Sequence, residues 1–128
     1  MDRLTMSIDS FGRALQTLEN ISKENFTTIV RDATIQRFEY TFEAMWKTVK
    51  AYLSDSEGIV CNSPKSCFRE LLSSQRISVS DTELLLEMTD MRNLTSHTYI
   101  EQIAQDIYAK ITADYITLMR RVYNAMQK

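Results

Sequence analysis

One stretch of this sequence gathers side chains that could do chemistry together: Arg92-Asn93-Leu94-Thr95-Ser96-His97-Thr98-Tyr99. Arginine is permanently charged, and its planar fork matches phosphate oxygens. Histidine titrates near pH 6.5 when unperturbed, so it can take or give a proton around neutrality. Tyr99 adds a hydroxyl that donates, accepts or can be modified. On a continuous helix Arg92 and Tyr99 would share nearly one face, roughly 10 Å apart, with His97 about 140° from Arg92. Between Asn93 and Tyr99, however, only Leu94 is a strong helix former. The helix is therefore expected to break there and let His97 turn toward Arg92. On the residues alone the alternative stays open: His97 caps a helix end, and Arg92 pairs with Asp90 or another carboxylate.

Elsewhere the chemical signals are weaker. The chain has no glycine-rich phosphate loop and no carboxylate pair at acid–base spacing. Cys61 and Cys67 lie six apart and the only histidine is His97. That spacing fits neither a zinc site nor a disulfide framework, so the two are read as a loop thiol and a half-buried thiol in a reducing compartment. No metal and no cofactor is expected. The aromatic group Phe38, Tyr40, Phe42 and Trp46 reads as core, and Arg120-Arg121 as a solvated face. Asn25-Phe26-Thr27 and Asn93-Leu94-Thr95 match the glycosylation triplet, which matters only in a secreted chain.

The elements that must position the arginine and histidine are helices. Leu4, Ile8, Phe11, Leu15 and Leu18 recur at steps of four and three, a single apolar stripe. A second helix is expected from about Asp32 to Leu53, with Ile35, Phe38, Phe42, Met45, Trp46, Val49 and Leu53 facing inward. A loop over Asp55 to Cys61 follows, and Ser63-Pro64 starts a third helix that fades near Gln75. Ser80-Asp81-Thr82-Glu83 reads as a capping box for a fourth, carrying Leu84, Leu85, Met88 and Met91. The last starts near Ile100 with Ala104, Ile107, Ile111, Tyr115, Leu118, Val122 and Ala125 as its stripe. The fold class is all-α: an up-and-down bundle of four long helices and one short, one domain over residues 1–128.

Composition agrees. Two glycines and one proline in 128 residues leave little turn chemistry for strands. Net charge is −2, so any nucleic-acid contact must rest on a local cleft rather than on bulk charge. No apolar run approaches the roughly 20 residues of a membrane helix. Met1-Asp2-Arg3-Leu4-Thr5 does not begin an apolar leader, which makes the cytoplasm the expected location.

The motif Arg92-x-x-x-x-His97-x-Tyr99 resembles the signature of HEPN domains, the higher eukaryote and prokaryote nucleotide-binding superfamily. The full text around it is similar to the subfamily of nucleotidyltransferase substrate-binding proteins. Two further blocks agree and fall in the right order. One is Arg31-Asp32-Ala33-Thr34-Ile35-Gln36-Arg37-Phe38-Glu39-Tyr40-Thr41-Phe42-Glu43 through Trp46-Lys47. The other is Asn62-Ser63-Pro64-Lys65 with Phe68-Arg69-Glu70. The resemblance implies a HEPN-like helical bundle that forms a homodimer, with two arginine–histidine motifs facing a shared cleft. It implies a minimal nucleotidyltransferase subunit as partner. In toxin–antitoxin members it implies a metal-independent ribonuclease that this partner neutralises. His97 would then act on the ribose 2′-hydroxyl or the leaving oxygen and Arg92 would hold the scissile phosphate of single-stranded RNA. Asn93 would support the phosphate or orient Arg92, and Tyr99 would receive AMP from the nucleotidyltransferase. The alternative implied by the subfamily's description is a non-catalytic subunit that presents a nucleotide substrate to that enzyme.

Overall fold

Helix α1 (Arg3–Ile21) begins where the Asp2 carboxylate accepts the amide of Thr5 at 2.7 Å, satisfying one of the orphan donors of the first turn. Its stripe buries Phe11, Leu15 and Leu18 completely. The computed structural model describes residues 2–127. Helix α2 (Thr28–Tyr52) is capped by Thr27, whose Oγ1 accepts the amide of Val30 at 3.0 Å. It starts before the expected Asp32 because the cap lies upstream of the apolar stripe: Ile29 in the first turn is 82 % exposed. The helix runs on through a π-turn, Leu53–Glu57, and ends at Gly58 in the left-handed region (φ 68°). The π-turn takes up the first part of the expected loop.

Ser63 and Ser66 form a reciprocal capping box with Pro64 in the first position of α3 (Pro64–Ser73). Gln75 closes that helix in the left-handed conformation (φ 60°). Helix α4 (Val79–Leu94) is capped by Ser78, which accepts the amide of Asp81 at 3.0 Å; Ser80 and Glu83 are not its capping box. Two residues of register separate the two serines, and the upstream one reaches the free amide. After a 3-10 turn (Thr95–His97) comes α5 (Glu101–Lys110), which continues through a π-turn (Ile111–Tyr115) into α6 (Ile116–Ala125). The extra residue of the π-turn shifts the stripe, so Met126 rather than Ala125 is buried at its end.

The described residues contain helices and no strands, in an all-α bundle around one continuous core. Helix α2 packs on α1, α3, α5 and α6. Phe38 lies near Phe42 and stacks on Tyr115, and Phe42 meets the edge of Phe68. Tyr40 is not core: two residues from both phenylalanines it points away, 43 % exposed, with its hydroxyl on Thr17. Gly12 lets Tyr123 approach closely, since a Cβ there would sit 2.8 Å from the ring. Arg120 and Arg121 are not a free solvated face, because they tie α6 to Glu19 of α1 and Asp81 of α4. No helix among the described residues is long and apolar enough to cross a membrane.

The reading of two free thiols is overturned. Cys61 and Cys67 are joined in a disulfide, and both are buried. The Ser63-Pro64 turn folds the chain back so that their Cα atoms lie 5.3 Å apart, inside disulfide reach. Spacing alone could not show this, because reach depends on the turn between the cysteines.

One half-buried polar contact fixes α4 against the last helix. The Tyr115 hydroxyl donates to Glu87 Oε2 at 2.6 Å, and Lys110 approaches the same oxygen at 3.3 Å. Hydrogen bonding from Tyr115, then Lys110, holds the Glu87 carboxyl below its usual range, whereas burial pushes the Tyr115 phenol up. A carboxylate whose pKa falls on folding adds stability above its unfolded pKa and loses it as pH falls through the folded value. Glu87→Gln should therefore lose stability at neutral pH and flatten the decline that sets in as pH falls below about 5. Urea unfolding across that range checks it.

Candidate functional site

The last turn of α4 carries Arg92 toward α2. The spacing of Glu39 and Glu43, one helical turn apart, puts both carboxylates on the α2 face that meets it. Arg92 Nη1 lies 3.5 Å from Glu39 Oε2, and Nε lies 3.5 Å from Glu43 Oε2. Thr95 bridges them. Its Oγ1 accepts from Arg92 Nη1 and donates to Glu39 Oε2, both at 2.9 Å, and lies 2.7 Å from the carbonyl of Arg92. Thr95 is buried and the Arg92 side chain is 26 % exposed, so the guanidinium sits in a half-buried cradle of two carboxylates and a hydroxyl. Arg92 Nε is buried without a hydrogen bond of its own. Trp46 extends the network by donating to Glu43 Oε1 at 3.1 Å.

The helix breaks where the propensities say it should. Thr95 to His97 form a 3-10 turn, and Ile100 adopts an extended conformation before α5. Arg31 secures the far side of this break. It is almost fully buried on α2 and pairs with Asp32 and with Glu101 in the first turn of α5. The hydrogen bond it donates to Glu101, then that to Asp32, raises its already high pKa, and the same contact lowers that of Glu101.

His97 and Tyr99 both emerge into solvent, Tyr99 at 80 % exposure. His97 Nδ1 stands 3.4 Å from the Tyr99 hydroxyl, with the rings edge to face at 6.0 Å. Among the described residues no hydrogen bond or ion pair joins Arg92 to His97. The break is present, but Arg92 is drawn inward by Glu39 and Glu43 while His97 leaves on the turn. Tyr99 sits beside His97 rather than on the Arg92 face, because the helix ends before the seven-residue spacing is complete. Asn93 is exposed at the end of α4, and Asp90 pairs with Lys65 at 2.8 Å instead of with Arg92.

Residue types alone did not single out Glu39, Glu43 or the bridging role of Thr95. The available signal was two glutamates at i, i+4 flanking Tyr40, Thr41 and the core residue Phe42.

A family model described as nucleotidyltransferase substrate binding protein like matches residues 5–128. The chain belongs to this family. A curated relative is the "probable ribonuclease HepT" of Haemophilus influenzae. It is 32 % identical over 124 residues, covering 86 % of this chain and 84 % of that protein. A crystal structure from Thermus thermophilus is 39 % identical and superposes with a TM-score of 0.88, covering 92 % of this chain and 99 % of that one. A Shewanella oneidensis HEPN toxin, solved tri-AMPylated in complex with an MNT antitoxin, gives a TM-score of 0.77 at 15 % identity, covering 98 % and 97 %. At that identity the likeness concerns the fold, which is HEPN-like.

The cradle has a stability signature. Thr95→Val removes the bridging hydroxyl with little change in volume and leaves Glu39 and Arg92 only their direct 3.5 Å contact. Hydrogen bonds to charged groups are worth about 1.5–3 kcal/mol, so the variant should lose stability of that order in urea unfolding.

Proposed function

We propose that this chain is the HEPN subunit of a two-component nucleotidyltransferase pair and acts as a toxin-like, metal-independent endoribonuclease that its partner neutralises. The observation that carries the reading is the break after Leu94: it presents His97 and Tyr99 together at the surface, just past the anchored Arg92. Family membership and the ribonuclease name of the Haemophilus relative agree with it.

The chemistry assigned to the residues is transesterification. The ribose 2′-hydroxyl attacks the adjacent phosphorus, a 2′-O–P bond forms, and the P–O5′ bond breaks. His97 takes the 2′ proton or supplies one to the 5′ oxygen, and Arg92 carries the charge building on the phosphoryl oxygens. Asn93, exposed beside Arg92 in sequence, would support the same phosphate. A homodimer would bring two such motifs into one cleft and supply a second histidine and arginine. The cation and the proton carrier are both side chains, so cleavage should persist in EDTA and leave 2′,3′-cyclic phosphate ends. His97→Ala and Arg92→Ala should each lower cleavage by about 100-fold or more, the loss typical of removing an acid–base or charge-stabilising group. Circular dichroism should stay unchanged for His97→Ala. Activity that survives both changes would assign the cutting to another site.

A second reading is favoured by the cradle itself: Arg92 already has two carboxylate partners, as a structural arginine would. Under it the chain presents a substrate to its nucleotidyltransferase without cutting RNA. Binding of the partner together with inertness toward RNA would select this reading.

Tyr99 is the proposed acceptor of AMP. Its 80 % exposure leaves the phenol open to a partner enzyme, and His97 Nδ1 at 3.4 Å can take the phenolic proton. Its oxygen would attack the α-phosphorus of ATP, forming the O–P bond and releasing pyrophosphate. Incubation with the nucleotidyltransferase, ATP and magnesium should add the mass of at least one adenylate to the peptide holding Tyr99. Tyr99→Phe should abolish that first addition.

A further inference from the structure

Trp46 is the one tryptophan of the chain, and its helical spacing places it in the core. The structure leaves it only partly buried, at the wall of a cavity of about 440 Å³ lined by Arg3, Lys47, Lys50, Ala51, Ser54 and Asp55. Three cations therefore face a single carboxylate in a chain whose net charge is −2. Most other arginines and lysines of the fold are tied to carboxylates, among them Arg31, Lys65, Arg76, Arg92, Lys110, Arg120 and Arg121. Arg3, Lys47 and Lys50 make no ion pair with any described residue. A protein that neutralises so much of its positive charge internally has left this group facing solvent around an aromatic ring.

Trp46 and Glu43 link the groove to the Arg92 cradle. Glu39, Glu43, Trp46, Lys47 and Lys50 recur at steps that keep them on one face of α2. Trp46 donates to the same Glu43 whose other oxygen faces Arg92. From Glu43 to Lys50 the helix rises roughly 10 Å, a short distance along a nucleic-acid strand. A flat aromatic surface next to unpaired cations is how single strands are held without regard to sequence, by stacking a base and neutralising the neighbouring phosphates.

We propose that the Trp46 groove, with Arg3, Lys47 and Lys50, is a second binding site that holds the flank of a single-stranded RNA engaged at Arg92. It rests on the ribonuclease reading and adds the track on which the substrate lies. Trp46 stacks a base, and Lys47, Lys50 and Arg3 take phosphates on either side.

The sole tryptophan makes the test direct. Oligouridylates of increasing length are titrated into the full chain carrying His97→Ala, with Trp46 emission as the readout. Emission should be quenched to saturation, and longer strands should bind more tightly. Adding Lys47→Ala and Lys50→Ala, both exposed, should weaken binding about tenfold at low salt. It should also reduce the slope of log affinity against log salt by about 1.4, two phosphates at about 0.7 each. Trp46→Leu should weaken binding about tenfold, measured with labelled RNA. RNA that is bound or cut with Trp46 emission unchanged, and with the same salt slope in the lysine variant, overturns the groove and leaves the ribonuclease reading standing. A lysine variant that keeps RNA but loses the nucleotidyltransferase also overturns it, making the groove a protein-docking surface. A wild-type chain that neither binds nor cuts RNA overturns both.

Discussion

A guanidinium that leaves bulk water must find carboxylates, and the site takes its shape from how Arg92 does so. Its charge is half-buried between α4 and α2, and Glu39 and Glu43 meet it from the α2 side with Thr95 closing the contact. Each partner is itself placed by packing. Glu39 and Glu43 follow the register that buries Phe38 and Phe42, and Thr95 is held by the turn that ends α4. The carboxylates therefore orient the arginine and also temper its charge.

Helix α2 is the common support for everything that follows from this contact. It packs on four other helices, and its polar positions act in sequence along its length. Arg31 pins the start of α5, Glu39 and Glu43 hold Arg92, and Trp46 opens the cationic groove. Both ends of the break between α4 and α5 are thus tied to one rigid rod. The exposed residues between them are His97 and Tyr99. The opposite side of α4 is secured separately through Glu87 to Tyr115, where a π-turn directs the phenol inward.

The disulfide shows how local chain reversal changes the meaning of a spacing. A separation of six positions does not decide whether two cysteines meet until the turn between them is known, and the Ser63-Pro64 cap is what brings Cys61 against α3. The same holds for the basic residues. Arg120-Arg121 reads as solvated when taken as a pair on one helix, yet each meets a carboxylate from a different helix.

The sequence by itself determined the helices and the break. Apolar residues at steps of three and four are buried by helices packed together, and the run of Asn, Thr, Ser and His disfavours extending α4 through residue 99. It also supplied the three ordered blocks that point to the family, since residue identity is what such blocks record. Only the tertiary structure decided which carboxylates meet Arg92, that His97 turns to Tyr99 rather than to Arg92, and that Trp46 packs against the core with one part while lining a groove with the rest. Those outcomes depend on the rotation and register of one helix against another. Registers are set by the summed packing of many side chains, and no short stretch of sequence carries that sum.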